Sequence, residues 1–508
     1  MLELTVGKIA YITGGQCVDV DPDQVVTGPV EFDSRKVATG SIFMALPGAN
    51  VDGHDFVDKA LEQGAALLLV GHDVRRPAIV AQPVEVSEES SNATAFEHDV
   101  DGQGAAVLAA VDKLARYNTD ELADRGLTVV GVTGSAGKTS TKDLIGAVLR
   151  ADGETVAPPG SFNNEIGLPY TALRAGETTK YLVSEMSARG VGHIRHLTEV
   201  TPPKIGVVLN VGSAHLGEFG SREAIAQAKG ELVEALPATG VAVLNADDDQ
   251  VAAMDERTQA RVVYFSTNGE TGCARGDKAG YYATDIALDA LARATFTLHH
   301  PHGEPVEVSL QVFGEHQVSN ALAAAAVGME AGLSAETVAD ALGTHRATSA
   351  NRMDVRQRRD GVTIINDSYN ANPESMRAGL QALAYTSKSG NRGETGETGE
   401  SGRSWAVLGQ MGELGDNAYD EHAELGAYLG ELGITAAVVV GNGVNQQALT
   451  AAAKKAGVDA RQVEDIDSAV NYVDLYLREG DVVLVKASQS EGLWAVAEGL
   501  LFGESEGA

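Results

Sequence analysis

The chain has 508 residues, too many for one compact core, and we expect roughly two to four domains. Its 71 acidic and 38 basic residues give a formal net charge of −33, which opposes general binding to nucleic acid or to acidic membranes. Cys17 and Cys273 are too few for a disulfide scaffold and too distant in sequence for a metal knuckle, as is typical of a reducing compartment. We find neither an apolar core of signal-peptide type nor an apolar run long enough to span a membrane, so we expect a cytoplasmic protein.

The N-terminal block mixes short strand-like runs with one helix-like stretch. The strand-like runs are VVTGPVEF, SIFMALPG and AALLLVG, and the helix-like stretch is HDFVDKALEQGA. This pattern indicates a small α/β domain, which we place at residues 1–100. The polar passage VSEESSNATAFEHDVDGQG, residues 86–104, has the composition of a linker.

Two further blocks alternate apolar strands with helical stretches. Residues 101–346 carry the apolar runs LTVVGV, KYLVSEM, KIGVVLNV and VAVLNA, and residues 347–508 carry VTIINDS, SWAVLG, AAVVVG and DVVLVKAS. Such alternation predicts mostly parallel sheets with helices on their faces, so we expect a central parallel-sheet domain and a C-terminal Rossmann-like domain. Within the last block, residues 389–404 have a short GET-type repeat and no apolar side chain, which predicts a disordered insertion without chemistry.

The segment GVTGSAGKTST, residues 131–141, lies between an apolar run and a helix-like stretch, the context of a phosphate-binding loop. In such a loop the backbone N–H groups converge on phosphate oxygens, the lysine reaches the outer phosphates and the hydroxyl after it can ligate magnesium. The candidate phosphate-binding residues are Thr133, Gly134, Ser135, Ala136, Gly137, Lys138 and Thr139. Val132 stands where the general G-x-x-x-x-G-K-[ST] pattern has its first glycine, and a chance Gly-Lys-Thr is the alternative. We expect phosphate binding because strand, loop and helix follow in the required order.

Polar residues follow several central strands at the end where ligands gather in open α/β sheets. Glu185 closes KYLVSEM and is well placed to hold the magnesium ion of a nucleotide, although an ordinary strand-end acid in solvent is the alternative. His215 follows KIGVVLNV by a few residues, and from the residues alone a functional role and a hydrogen-bonded surface role weigh equally.

Lys229 lies on the apolar stripe of a predicted helix. The segment SREAIAQAKGELVEAL has a candidate N-cap in Ser221, and its stripe consists of Ile225, Ala228, Leu232 and Leu236. At about 100° per residue the lysine points into this stripe. It either snorkels to water or is buried and used, since a buried lysine tends to lose its proton and a neutral lysine can take up carbon dioxide as a carbamate. Such a carbamate offers two oxygens to a hard cation.

Together these segments resemble the Mur ligases, the ATP-dependent enzymes that build the peptide stem of the bacterial cell-wall precursor. The resemblance runs through GVTGSAGKTSTKD, SFNNEIGLP, LVSEMS, NVGSAHLGEFGS, AKGEL, LNADD, GEHQVSNALAAAAVG, NRMDV and INDSYNANPESM. These segments span most of the central and C-terminal blocks. The family's own loop pattern, T-G-x-x-G-K-[TS], accommodates Val132.

The resemblance implies ATP and magnesium as cofactors, and it implies three α/β domains of which the central one binds ATP. The implied metal ligands are Thr139, Glu185, His215 and a carbamylated Lys229. The implied catalytic residues are Lys138, His215 and Lys229. The other matched positions are Asn320, Arg352 and Asp367 in the ATP site and Asn164 in the substrate site, with Arg352 and Asp367 reaching across from the C-terminal domain.

The family reaction joins a peptide carboxylate to an amine through an acyl phosphate made from ATP, without a covalent enzyme intermediate. Residues 365–376, INDSYNANPESM, resemble the members that add D-alanyl-D-alanine to UDP-MurNAc-tripeptide, and the Asp-Asn-Pro-Arg string typical of the tripeptide-forming members does not occur. The alternatives are a tripeptide-forming or folylpolyglutamate-type ligase and, more distantly, a P-loop NTPase that is not a ligase.

The remaining residues that we expect to contact the substrates are predicted from weaker resemblances. Residues 33–57 resemble a uridine-binding domain of the family, where Ser34 and Arg35 either bind the UDP end of the substrate or form a turn before a strand. Asn370 and Asn372 either hydrogen-bond the incoming dipeptide or act as turn residues before Pro373.

Three residues depart from those common in the family, namely Gln410, Ala487 and Gln489. They concern the dipeptide and closure surfaces more than the reaction type. We expect a monomer whose domains close around ATP and substrate, and either lysine or diaminopimelate fits the third stem position.

Overall fold

The computed structural model describes residues 1–48, 51–84, 99–158, 160–212, 216–273, 280–389 and 402–502. Three large sheets succeed one another along this part of the chain, one in each of the three sequence blocks. None of the helices in the described ranges combines the length and the apolarity needed to cross a bilayer. Most of the predicted insertion at residues 389–404 lies outside the described residues.

The N-terminal block is built on a five-stranded sheet, in which all neighbours are parallel except the first pair. In spatial order its strands are Gln16–Val18, Ala78–Val80, Leu67–Val70, Ile42–Met44 and Val30–Glu31. A separate antiparallel pair joins Leu4–Thr5 to Val25–Val26. The helices are Val6–Thr13 and Val57–Glu62.

The long helix Gln103–Ala123 joins the first block to the second. Sequence reasoning assigned its first two residues to a linker, but GAAVLAAVDKLA forms an apolar face that packs against helices of both blocks. Asn118, fully buried, accepts a hydrogen bond from the Leu2 backbone N–H at 2.8 Å and donates to the carbonyls of Ala172 and Ala175. The domain boundaries at residues 100 and 346 stay predictions.

The central block holds a nine-stranded sheet. In spatial order its strands are Val306–Phe313, Arg293–His299, Gly280–Leu288, Arg261–Ser266, Val241–Asn245, Ile205–Val208, Thr128–Thr133, Tyr181–Glu185 and Thr155–Val156. The first three form an antiparallel edge that sequence reasoning did not separate from the parallel part. Their buried residues alternate with half-buried or exposed ones, as is typical of antiparallel strands with one solvated face. The parallel strands Tyr181–Glu185, Ile205–Val208 and Val241–Asn245, by contrast, are buried throughout.

Helices cover both faces of this sheet, so that its strands are buried between two apolar layers. These helices are Lys138–Arg150, Gly167–Ala172, His193–Val200, Leu216–Phe219, Arg222–Glu234, Asp249–Ala252, Gly269–Cys273, Gln317–Glu330 and Ala335–Thr344.

The C-terminal block is a six-stranded doubly wound sheet with one antiparallel edge strand. In spatial order its strands are Asp354–Gln357, Thr363–Asn366, Val482–Lys486, Ser404–Leu408, Ala436–Val440 and Asp459–Val463. Its helices are Pro373–Ser389, Ala418–Leu432, Val444–Lys455, Ile466–Tyr476 and Trp494–Phe502. The strand order reverses between Val482–Lys486 and Ser404–Leu408, and at such a point the loops at the carboxyl ends open a crevice for ligands.

Candidate active site

The loop before helix Lys138–Arg150 has the geometry of a phosphate cradle. Gly137 has φ +82°, and a Cβ at this position would lie 2.8 Å from Asn320 Oδ1, so the site requires glycine. Asn210 holds the loop from the neighbouring strand, accepting from the Ala136 N–H at 2.8 Å and donating to its carbonyl at 3.1 Å. The backbone N–H groups at the start of a helix then face the space above the loop, which suits an anion. Val132 is fully buried in the strand below, where its side chain packs in the core of the central block.

Lys138 lies over this loop and donates to the Gly134 carbonyl at 2.7 Å. Burial lowers the pKa of its ammonium, while the nearby carboxylate of Glu185 acts in the opposite direction. A phosphate bound by the loop would add a further negative charge beside this lysine and favour its protonated form.

Glu185 ends the strand next to the loop, with Glu185 and Val132 paired in register. Its Oε1 accepts hydrogen bonds from the Thr139 hydroxyl at 3.2 Å and from Asn163 Nδ2 at 2.8 Å. Its Oε2 is buried and has no hydrogen-bond partner among the described residues, and the residue as a whole is 1% exposed. A buried carboxylate oxygen without a partner beside a hydroxyl is a donor set that fits a hard cation such as magnesium.

Lys229 is 2% exposed in helix Arg222–Glu234, so it does not snorkel to water. The predicted N-cap is confirmed, since Ser221 Oγ accepts from the Ala224 N–H at 3.1 Å, and the predicted stripe of Ile225, Ala228, Leu232 and Leu236 is buried. Within the described part of the chain the Lys229 ammonium makes no hydrogen bond or ion pair. Burial first, and then the charge of Lys138, lowers its pKa well below the usual value. These conditions favour a neutral amine.

The same helix is fixed to its neighbour by Glu231. This buried carboxylate accepts from the backbone N–H groups of Gly192 at 2.6 Å and Arg195 at 3.0 Å, and it thereby caps helix His193–Val200. His215 lies outside the described residues, and its implied roles as metal ligand and catalytic residue stay predictions.

The C-terminal block supplies the opposite wall. The Arg352 guanidinium stacks 4.2 Å from the centre of the Tyr369 ring and donates to Ser161 Oγ at 2.9 Å. Asp367 accepts from the Met353 backbone N–H at 3.2 Å and from Lys486 Nζ at 2.5 Å. Arg352 and Asp367, both from the C-terminal block, thus line the same cleft as the phosphate loop, and their implied roles in the ATP site stay predictions.

One cleft of about 690 Å³ joins these groups. The predicted residues that line it are Ser135, Ala136, Gly137, Lys138, Thr139, Asn164, Glu185, Asn320, Arg352, Asp367, Asn370 and Asn372. Residues that sequence reasoning missed also line it, including Ser161, Asn163, Arg189, Glu413 and Lys486. Lys486 ends the strand in DVVLVKAS, and the rule applied to the central strand ends would have found it.

Several of the predicted asparagines support the backbone as well as line the cleft. Asn164 Oδ1 accepts from the N–H groups of Ile166 and Gly167 at the start of a helix. Asn372 accepts from the Ser375 N–H at 2.9 Å and donates to the Ser135 carbonyl at 3.4 Å, so it combines a turn role with a contact to the phosphate loop. Asn370 accepts from the adjacent Ala371 N–H, as a turn residue does.

Ser34 and Arg35 form a short 3-10 turn in the N-terminal block. Ser34 is buried, whereas the Arg35 side chain is 80% exposed and pairs with Asp33 at 2.9 Å. That pairing lowers the pKa of Asp33 to about 2. Neither residue lines the cleft between the central and C-terminal blocks, and their role in binding UDP stays a prediction.

Three family models match the chain in succession: "Mur ligase family, catalytic domain" at residues 29–101, "Mur ligase middle domain" at 132–328 and "Mur ligase, glutamate ligase domain" at 351–489. A curated relative from Mycobacterium leprae (strain TN), UDP-N-acetylmuramoyl-tripeptide--D-alanyl-D-alanine ligase, is 48% identical over 99% of this chain and 99% of its own. The chain belongs to the Mur ligase family. A relative of the same name from Mycobacterium tuberculosis (strain ATCC 25618 / H37Rv) is 50% identical over 100% of this Mur ligase and 99% of its own length.

Solved structures of the family share the fold. A crystal structure of MurF from Acinetobacter baumannii superposes with a TM-score of 0.80 at 28% identity, covering 98% of this chain and 99% of that one. The MurF ligase from Thermotoga maritima, solved in complex with ADP, gives a TM-score of 0.72 at 28% identity over 94% and 97% of the two chains. The predicted family and the predicted three-domain α/β fold are thus confirmed for this Mur ligase.

Proposed function

We propose that this Mur ligase joins D-alanyl-D-alanine to UDP-MurNAc-tripeptide with ATP as the energy source. The observation that carries the proposal is the single cleft in which a phosphate loop faces Arg352 and Asp367 of the next domain. Relatives that bear this activity in their names match the chain over nearly its whole length at 48% and 50% identity. The ADP complex of the Thermotoga maritima structure supports ATP as the nucleotide.

In this proposal the cleft holds the two reactants in line and stabilises charge. The phosphate loop and Lys138 bind the outer phosphates of ATP, and Arg352 faces the γ-phosphoryl group from the other side. The terminal carboxylate of the tripeptide attacks that group, ADP leaves and an acyl phosphate forms. The neutral amine of the dipeptide then attacks the acyl carbon and forms a tetrahedral intermediate. The C–O bond to phosphate breaks, and the departing phosphate takes up the proton that the amine nitrogen loses. The protein contributes positioning and electrostatic stabilisation, and no side chain forms a covalent intermediate.

Thr139 and Glu185 are proposed to hold magnesium, together with His215 and the carbamate of Lys229. Magnesium, when bound, neutralises charge on the transferring phosphoryl group. Two observations support this donor set. Glu185 Oε2 is buried and has no hydrogen-bond partner in the part of the chain that the structure describes, and Lys229 is buried with a lowered pKa. The carbamate forms only on a neutral amine, which is the form that the surroundings of Lys229 favour.

The remaining substrate assignments are proposed on the resemblance. Ser34 and Arg35 bind the UDP end, and Asn164, Asn370 and Asn372 face the peptide reactants. Asn164 and Asn372 are buried or half-buried in the cleft wall, in agreement with contact to a bound peptide. The expected monomeric state, cytoplasmic location and identity of the third stem residue stay predictions.

The deciding experiment measures phosphate release from ATP by the purified chain. We expect release only when UDP-MurNAc-tripeptide and D-alanyl-D-alanine are both present, with the pentapeptide product detected by mass spectrometry. A panel of alternative amines and acids, including diaminopimelate and glutamate, separates the tripeptide-forming and folylpolyglutamate-type ligases. Phosphate release that is independent of any carboxylate and amine would contradict the proposal and favour a non-ligase NTPase.

A further inference from the structure

Ser161 lies at the point where the central and C-terminal domains meet above the phosphate loop. Its Oγ is 2.6 Å from Thr139 Oγ1 and 2.9 Å from Arg352 Nη2. Thr139 in turn donates to Glu185 Oε1 at 3.2 Å. The loop that carries Ser161 connects strand Thr155–Val156 to helix Gly167–Ala172. Ser161 begins the family-like segment SFNNEIGLP, but sequence reasoning gave this serine no role.

The directions of these hydrogen bonds are fixed by their two ends. A guanidinium can only donate, so Ser161 accepts from Arg352 and its own proton is left for Thr139. Thr139 donates to the carboxylate, which in its ionised form can only accept. The result is an ordered chain from a cation of the C-terminal domain to an anion of the central domain, and hydrogen bonds in such chains strengthen one another.

The position of Ser161 is itself held by a buried charge. Lys142, 1% exposed, donates to the carbonyls of Pro158 at 2.7 Å and Gly160 at 3.2 Å. Its charge is balanced by Asp143 at 2.5 Å. Because Lys142 belongs to the helix that follows the phosphate loop, these contacts tie the Ser161 segment to the phosphate loop of the central domain.

We propose that Ser161 is a positioning residue that links nucleotide binding to the docking of Arg352. Its hydroxyl sets the rotamer of Thr139 on one side and the guanidinium of Arg352 on the other, so both are pre-placed around the terminal phosphates. This inference deepens the proposed function and rests on it only for the identity of the reaction. Thr139 and Arg352 both line the cleft, and the ligand that they face is a bound nucleotide.

The test compares Ser161→Val with Ser161→Thr, since the two side chains have nearly the same shape and only one keeps the hydroxyl. Binding of the ATP analogue AMPPNP with magnesium is measured by calorimetry in the full chain, without peptide substrates. We expect Ser161→Val to weaken binding about tenfold, the effect of losing one charge-assisted hydrogen bond, and Ser161→Thr to stay within about twofold. Ser309→Ala is the matched control, because it removes an exposed hydroxyl that pairs with Thr295 at 3.0 Å away from the cleft.

A purely structural role would lower the thermal midpoint of the nucleotide-free protein and leave the binding constant unchanged, which would overturn the proposal. A second measurement introduces Ser161→Val into a chain that already carries Arg352→Met. The valine should then have little further effect on AMPPNP affinity, because the hydrogen bond between the two side chains is already lost. If the losses of AMPPNP affinity caused by Ser161→Val and by Arg352→Met simply multiply in the double variant, the proposal is also overturned. Absence of ligase activity in the unmodified chain would contradict the proposed function alone, because these binding measurements need neither peptide.

Discussion

Lys229 is the residue whose surroundings are hardest to explain without chemistry. A lysine that is 2% exposed and has its pKa lowered well below the usual value is costly to bury for packing alone. Lys229 lies close enough to Lys138, the lysine of the phosphate loop, for their charges to interact. This position suggests a functional reason for the burial. A neutral amine can take up carbon dioxide and lose a proton to become a carbamate, which would offer a metal ion a negative charge.

We expect Lys229→Ala to lower the rate of product formation at least about a hundredfold, because the proposed carbamate and its two metal-binding oxygens would be lost. Added short-chain carboxylic acids should restore part of the activity by filling the space with another carboxylate. Lys204→Ala, which removes an exposed lysine, serves as the control and should keep full activity. An unrescued Lys229→Ala variant that still binds ATP would count against the carbamate.

At the residue scale, prediction from sequence succeeded where periodicity carries information. The 3.6-residue repeat placed Lys229 on the apolar stripe of its helix, although it left open whether the side chain snorkels or is buried. The cap at Ser221 was predicted from a serine that stands just before the first helical residue. The roles of Ser161 and Asn163 do not, because these residues lie in an irregular loop whose path is set by the buried Lys142 and not by a local pattern. Such contacts depend on the tertiary fold.

At the scale of elements, the loop after strand Ser404–Leu408 is held by one histidine. His422 is fully buried in helix Ala418–Leu432, where its Nδ1–H donates to the Ala418 carbonyl at 2.6 Å and its Nε2 accepts from the Met411 N–H at 2.9 Å. Both contacts are made by the neutral ring. Burial lowers the pKa of His422, so the loop that brings Gly412 and Glu413 to the cleft is fixed by a group that resists protonation.

This arrangement predicts a dependence of stability on pH. Because the folded-state pKa of His422 lies below the unfolded value of about 6.5, the folded state binds fewer protons, and stability is lost as the pH falls below about 6.5. We expect His422→Gln to lower the free energy of unfolding by about 1–3 kcal/mol at pH 8, and the gap to the unmodified chain to narrow towards pH 5. Denaturant titrations at several pH values measure this gap. A gap that stays constant with pH would contradict the prediction.

Prediction of secondary-structure elements also succeeded where the local sequence pattern is strong and failed where tertiary contacts decide the structure. Fully apolar strands of the parallel sheets were found because burial on both faces leaves continuous apolar runs. The antiparallel edge at Gly280–Phe313 and the helix Gln103–Ala123 were missed, since half-polar strands and an alanine-rich helix next to a linker give weak local signals. Their structures are set by the sheet edge and the neighbouring domain that they contact.

At the scale of the whole molecule, the central and C-terminal domains touch at points other than the phosphate loop. Arg189 of the central domain pairs with Glu413 of the C-terminal domain at 2.8 Å. Gly217 and Gly415 meet backbone to backbone, and a Cβ on Gly217 would lie 2.6 Å from the Gly415 nitrogen. Two glycines at this contact let the domains approach more closely than any pair of side chains would allow.

We expect Gly217→Ala to prevent full closure, because the clash is with backbone atoms that cannot move aside. Turnover should fall by about a hundredfold, as for a misplacement of about 1 Å between reacting groups, and small-angle scattering with ATP and tripeptide should give a larger radius of gyration than the unmodified chain does. Gly176→Ala is the control, since a Cβ there meets nothing within 4 Å. Scattering curves of the Gly217→Ala and unmodified chains that coincide in the presence of ligands would refute this role for the contact.

The cap that Glu231 places on helix His193–Val200 has a consequence for the interpretation of mutational scans. Glu231 and Lys229 are two residues apart, and a loss-of-function screen would score both positions as intolerant. We expect the underlying defects to differ, since a Glu231 variant loses the cap of a neighbouring helix and so lowers the amount of folded protein, whereas a Lys229 variant loses no hydrogen bond or ion pair of the described residues. A scan that counts surviving cells therefore needs a parallel measure of protein abundance before intolerance in this helix is assigned to catalysis.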